Sequence, residues 1–339
     1  MVLSLCMIVK DEEKCLGRCL ESVKYKVDEI ILVDTGSTDN TIKIAERYGA
    51  KIFYFPWNGS FSDARNYSIR QAQGDWILIL DADDELRCEA DELRELVKES
   101  AADAYNCEII NYVGDETDCD VVKSRNIRLV RNHKGYFYYN KIHEQISGSI
   151  LSINSSAAIF SCNIKIYHHG YRDSYIEDKR KRDRNTTILE NELRQCPACV
   201  STLYYLASEY CRSGNIKEAI DLFERAYLSF NPKEEFGPSM ILRMACCYLE
   251  LDRYSEALLL CDAGLQYYPK FTDLEYVKGE IYREAGNKEL ALRHYKRCCE
   301  MGNAPVGLGV IEGVGSYRPM AAIVDLKLDY VRIDEDITN

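Results

Sequence analysis

The chain has 339 residues, with 43 Lys and Arg against 55 Asp and Glu, a formal net charge of −12 and a pI near 5.1. That balance excludes generic nucleic-acid binding, which needs a basic footprint, but it admits an anionic ligand held through a metal. No apolar run reaches the ~18 residues that cross a bilayer, and the apolar start Met1–Val9 runs straight into Lys10-Asp11-Glu12-Glu13-Lys14 with no cleavage signal, which reads as a first strand rather than a leader and sets a cytoplasmic expectation.

Val2–Val9 has the composition of a buried strand. Cys15, Leu16, Cys19, Leu20 and Val23 then fall at helical spacing. Glu29–Asp34 is a second strand ending in an acid, Thr35–Asp39 a turn with capping residues, and Asn40–Tyr48 a helix. Lys51–Phe55 is a third strand, followed by the loop Pro56-Trp57-Asn58-Gly59 and a helix near Phe61–Gln73. Trp76–Leu80 is five apolar residues bounded by Gly74 and by polar sequence, the signature of a strand covered on both faces. Strands alternating with helices predict a doubly wound, mainly parallel α/β sheet.

Immediately after that fourth strand comes Asp81-Ala82-Asp83-Asp84-Glu85, four acids in five positions. Open α/β sheets bind ligands at the C-terminal ends of their strands. Carboxylates this close raise one another's pKa values unless a cation sits among them, and hard oxygen ligands suit Mg²⁺ or Mn²⁺. The competing reading is an acidic turn that charges the start of the next helix. Asp34 and Asp63 lie at other strand or helix ends on the same presumed edge, where a carboxylate can accept from a base or a ribose hydroxyl. Arg65 can hold a phosphate through its planar fork. Each also has a structural reading: Asp34 as a turn acceptor, Asp63 as an N-cap, Arg65 as an ion-pair partner.

Four segments in order, Met7-Ile-Val-Lys-Asp-Glu12, Val33-Asp-Thr-Gly-Ser-Thr-Asp39, Phe61-Ser-Asp-Ala-Arg-Asn66 and Leu80-Asp-Ala-Asp-Asp84, resemble the motifs of family 2 glycosyltransferases, nucleotide-sugar enzymes of the GT-A fold. The resemblance covers roughly residues 3–175. It implies that Asp34 contacts the base and that Asp63 and Arg65 help hold the nucleotide. Asp81 and Asp83 would serve ribose and metal, and Val9, Asp11, Glu12, Ser37 and Ala82 would line the UDP-sugar site. Lys10-Asp11-Glu12 departs from the pattern, since relatives usually carry Asn before the Glu.

Residues Ala104–His169 are strand-rich, with Tyr105–Tyr112, Ile127–Arg131, Tyr136–Tyr139 and Asn163–Tyr167 as candidate strands and Gly114–Asp120 as a polar loop. Lys141-Ile-His143-Glu144 and Tyr167-His168-His169-Gly170-Tyr171 hold three of the five histidines. A histidine completes many carboxylate metal sites. The pair of motifs is similar to the subset of the family that includes sublancin-synthase-type peptide glycosyltransferases. That similarity implies His168, rather than His169, as the third metal ligand beside Asp83 and Asp81, and Glu144 or His143 as the general base.

Ser174–Cys196 reads as a bridging helix with a basic start. Beyond it Ala207, Tyr210 and Ala219 recur as Ala245, Tyr248 and Ala257, then as Gly279, Tyr282 and Ala291, at repeat intervals of 38 and 34 residues. Small residues where two helices touch, with an aromatic filling the gap, are the tetratricopeptide (TPR) pattern, and such solenoids bind peptide or protein, or self-associate. The expected organisation is a GT-A domain over 1–173, a bridging helix over 174–199, three repeats over 200–305 and a cap or partial fourth repeat over 306–339. The fifteen cysteines read as small apolar residues, because the one Cys-x-x-Cys, Cys196–Cys199, lacks a second pair. The functional expectation is metal-dependent, inverting sugar transfer from a UDP-sugar to a peptide Cys, Ser or Thr. A cell-surface glycan acceptor and a scaffold with a silent transferase domain are the alternatives.

Overall fold

The computed structural model describes residues 1–98, 101–115, 118–169, 175–305, 308 and 310–326. Gly170 and Tyr171 of the second histidine motif, and the apolar positions of the tail beyond 326, lie outside them. The chain divides into two compact units, Met1–Cys119 with Ser124–Asp178, and Asp120–Lys123 with Lys179–Asn339.

In the first unit, β1 (Leu3–Val9), β2 (Glu29–Asp34), β3 (Lys51–Tyr54) and β4 (Trp76–Ile79) form a parallel set in the order β3-β2-β1-β4. Their connections are α1 (Leu16–Val23), α2 (Thr41–Arg47) and α3 (Phe61–Gln71). The inner strands are apolar throughout because both faces are covered. Leu3, Leu5, Met7, Trp76 and Leu78 belong to one core cluster, and Cys6, Ile77 and Ile79 to the opposite one. Burying each large side chain of Trp76–Leu80, none more than 2% exposed, contributes about 1.5–3 kcal/mol. Gly74 is required at the entrance to β4, since a Cβ there would lie 2.5 Å from Ser4 Oγ and 2.8 Å from Val2 O.

The sheet continues as β7 (Asp118–Arg131), β6 (Ala104–Asp115), β8 (Ile159–His168) and β5 (Asp84–Arg87), and α4 (Ala90–Lys98) and α5 (Ser147–Ile153) complete this unit. β7 runs antiparallel to β4, and β5 antiparallel to β8, so the whole sheet is mixed. Three local features differ from the sequence reading. The polar stretch Gly114–Asp120 is largely strand, with β6 reaching Asp115 and β7 starting at Asp118. Tyr136–Tyr139 is not a strand and makes a single bridge, Tyr139 to Gln145. The acids after β4 do not lead into a helix: Asp84 opens β5, a four-residue strand whose register sets Asp84 directly opposite His168.

The described residues of the second unit form helices and their connections, apart from β9 (Val310–Ile311) and the short Asp120–Lys123 stretch that pairs with it. α6 (Tyr175–Gln195) precedes the antiparallel pairs α7 (Val200–Arg212) with α8 (Ile216–Tyr227), α9 (Gly237–Glu250) with α10 (Tyr254–Tyr267), and α11 (Thr272–Glu284) with α12 (Lys288–Met301). Ala207, Ala219, Ala245, Ala257 and Ala291 are wholly buried, and Gly279 lies against the Tyr295 ring. Residues 317–326 are helical, and Ala322 and Leu326 pack on Ala291 and Tyr295. No described helix is long and apolar enough to cross a membrane.

Candidate functional site

The site is built where β4 ends. Asp84 N–H donates to Asp81 O, and Asp81 N–H returns to Asp84 Oδ2 at 2.8 Å, which closes a tight acidic turn. Asp84 is wholly buried, and its Oδ1 lies 2.8 Å from His168 Nδ1. Asp83 Oδ1 is 3.5 Å from the same nitrogen, and Asp83 O accepts from His169 N–H. Asp81, Asp84 and His168 each offer a ligand atom, and these atoms all lie within 4.8 Å of one another. Carboxylate oxygens joined by one imidazole fit a hard or borderline divalent cation. His169, one residue past the end of β8, goes elsewhere: its Nε2 meets Glu85 Oε2 at 3.1 Å and its ring stacks on Tyr112.

Two guanidiniums hold Asp81. Arg65 Nη2 donates to Oδ1 at 2.6 Å, and Arg128 Nη2 donates to Oδ2 at 3.1 Å. Burial would raise the Asp81 carboxyl, but these two cations outweigh it and hold it far below the usual range. Arg65 also donates through Nε to Glu144 Oε1, and Arg128 lies 3.5 Å from Asp84 Oδ2. The result is an alternating chain of charge, Glu144–Arg65–Asp81–Arg128–Asp84–His168. Burial pushes the His168 imidazole down, but the Asp84 hydrogen bond and the charges of Asp83, Asp84 and Asp81 prevail and raise it to about 9. His143 lies beside Glu144 in a turn with φ +51°, a conformation uncommon for a side chain other than glycine.

The other expected nucleotide residues gather on the loops after β1 and β2. Asp34, buried, accepts from Ser37 N–H at 3.0 Å and Gly36 N–H at 3.2 Å. Ser37 Oγ accepts from Asp11 N–H, and Asp11 Oδ1 from Thr38 N–H at 2.6 Å. Glu12 N–H donates to Thr41 Oγ1, and Val9 O accepts from Thr35 N–H. Asp11 therefore knits the two loops together. Ser60, not Asp63, is the N-cap of α3: its Oγ accepts from Asp63 N–H, and the exposed Asp63 carboxylate takes a hydrogen bond from Asn58. Ala82 is buried in the core.

Arg128 was not among the expected residues. The signal was present, because Arg128 shares a strand face with the buried Val130, and an ionised side chain on such a face needs a carboxylate partner. No motif marked it.

The sequence profile described as Glycosyl transferase family 2 matches residues 4–164. The chain is 32% identical over 301 residues to the TPR repeat-containing protein Synpcc7942_0270 of Synechococcus elongatus, an alignment covering 85% of this chain and 72% of that protein. It is 29% identical to the SPbeta prophage-derived glycosyltransferase SunS of Bacillus subtilis, over 81% of this chain and 65% of that protein. Among solved structures, S. aureus TarS 1-349 in complex with UDP-GlcNAc aligns with a TM-score of 0.42 and 15% identity, over 84% of this chain and 92% of that one. The chain belongs to glycosyl transferase family 2 and is a glycosyltransferase with a C-terminal helical-repeat unit.

Proposed function

We propose that the protein transfers a sugar from a UDP-sugar to a Cys, Ser or Thr side chain of a peptide, in the cytoplasm, with a divalent cation and with inversion at the anomeric carbon. The observation that carries this reading is the convergence of Asp81, Asp84 and His168, with Asp83 alongside, at the C-terminal end of β4. Asp83 and His168 would hold Mn²⁺ or Mg²⁺, with Asp81 or Asp84 completing the carboxylate set. When bound, the cation supplies positive charge against the departing diphosphate. Asp34, Asp11, Glu12, Ser37 and Val9 border the uridine, and Asp63 and Arg65 the rest of the nucleotide. The acceptor sulfur or oxygen attacks the anomeric carbon as the bond to the UDP oxygen breaks, and Glu144, oriented by Arg65 and next to His143, takes the acceptor proton. A thiol, partly ionised at neutral pH, leans less on that base. The helical unit serves as the peptide-docking surface.

The test is a donor-hydrolysis and transfer screen over UDP- and GDP-sugars with Mn²⁺, Mg²⁺ or EDTA. We expect turnover of a UDP-sugar that EDTA abolishes, and a loss of at least 100-fold in Asp83→Ala with an unchanged circular dichroism spectrum. Full turnover after exhaustive chelation, or in Asp83→Ala, refutes the metal assignment. Transfer to a glycan but to no peptide refutes the acceptor assignment.

A further inference from the structure

Two pairs of thiols touch within the described residues, and they differ in what can reach them. Cys107 and Cys162, on β6 and β8, have sulfurs 3.6 Å apart, and both are buried within the sheet. Cys211 and Cys247 have sulfurs 3.2 Å apart. They lie on α7 and α9, the first helices of two consecutive pairs. Cys247 is 3% exposed, whereas Cys211 is only half-buried. Ala207 and Ala245, on the same two helices, are fully buried.

We propose that Cys211 and Cys247 are a dithiol site that a low-molecular-weight disulfide converts to an intramolecular disulfide, tying α7 covalently to α9. The bond needs the sulfurs to close to about 2.05 Å, a movement of about 1.2 Å that side-chain rotation can supply. Cys211, the more exposed of the two, is the attacking group. Its contact with Cys247 lowers its pKa against the effect of burial, and Arg243 favours the thiolate further while Glu250 opposes it. Cys247 is pushed the other way, first by that same contact and then by burial, so it stays a thiol until the second step.

The exchange balances with glutathione disulfide as oxidant. The Cys211 thiolate attacks one glutathione sulfur, the glutathione S–S bond breaks, and one glutathione thiolate leaves. Cys247 loses its proton and attacks the Cys211 sulfur of the mixed disulfide, and the second glutathione leaves. The protein loses two electrons and two protons, and glutathione disulfide becomes two glutathione thiols. The product closes the chain from 211 to 247 and stiffens the step from one helix pair to the next. The sheet pair makes a similar contact but lacks an exposed member, so it serves as the internal comparison.

The experiment uses the full chain, reduced and desalted, then incubated with glutathione disulfide. Free thiols are alkylated and mapped by mass spectrometry. We expect a Cys211–Cys247 cross-linked peptide to accumulate while Cys107 and Cys162 remain alkylatable, and the melting temperature of the helical unit to rise by several degrees, reversibly with dithiothreitol. Cys247→Ser should stop at a glutathione adduct on Cys211. The proposal is overturned if Cys211 and Cys247 stay alkylatable while the exposed Cys196, Cys246 and Cys299 become glutathionylated. A glutathione adduct that persists on Cys211 in the native sequence, or a link from Cys211 to Cys246, overturns it equally. The mapping on the native chain decides the matter even if a variant fails to fold.

Discussion

His168 is held by carboxylates on one side and by burial on the other, and the charges win, with a pKa of about 9. At neutral pH in the metal-free protein the ring is therefore an imidazolium. Because the folded value lies above the unfolded value of about 6.5, the ring's contribution to stability is complete below pH ~6.5 and disappears as pH rises through 9. The full difference amounts to about 3 kcal/mol, an upper bound for a side chain still in partial contact with water. A cation that takes His168 as ligand has to displace this proton. We expect the Mn²⁺ affinity, measured by calorimetry, to rise about tenfold per pH unit between 7 and 9 and then to level off. An affinity flat across that range would remove His168 from the metal set. At this scale the sequence showed which acids stand at or just beyond a strand end, as Asp34 does at the end of β2 and Asp81 and Asp83 do after β4. For Arg128 the strand face gave a signal that a partner was needed but not which one, since Asp81 and Asp84 lie more than 40 positions away in the chain.

Among elements, the parallel set β3-β2-β1-β4 was legible because double-sided burial leaves uninterrupted apolar runs. β5 was not, because its four residues carry one buried apolar side chain, Leu86, and its partner β8 comes some 80 residues later. The neighbouring strands β6 and β7 were half legible. Their polar ends look like loop by composition, since backbone pairing carries no side-chain signature there. The helix pairs showed through their spacing of small residues, and Gly279 is the most constrained of these. A Cβ at Gly279 would sit 2.6 Å from the Tyr295 ring, which is fully buried and whose hydroxyl donates to Glu280. Gly279→Val therefore drives methyl groups into a ring that cannot retreat without losing that bond. Overpacking of this kind costs about 1–3 kcal/mol, more than the gain from removing a helical glycine. We expect thermal unfolding of the helical unit to shift down by several degrees. A variant that melts with the native protein would mean that the α11–α12 contact is looser than the structure has it.

At the scale of the molecule, every side chain assigned here to donor, metal or base lies in the first unit, and the repeats lie in the second. That division makes a test by ligand linkage possible. A ligand that binds only the folded state stabilises it by RT ln(1 + [L]/Kd), about 2.7 kcal/mol at one hundred times Kd, and amide exchange reports where that stabilisation falls. With UDP and Mn²⁺ at such an excess, we expect slower exchange in the loops after β1 and β2, in the Asp81–Asp84 turn and around His168, and unchanged exchange in α7 to α12. A peptide acceptor added without donor should do the reverse, protecting the first helices of the repeats and leaving the acidic turn unaltered. Protection of the repeats by UDP alone would place nucleotide on the wrong unit. A transferred peptide that protects no helix of the second unit would strip that unit of its docking role and leave the catalytic assignment standing.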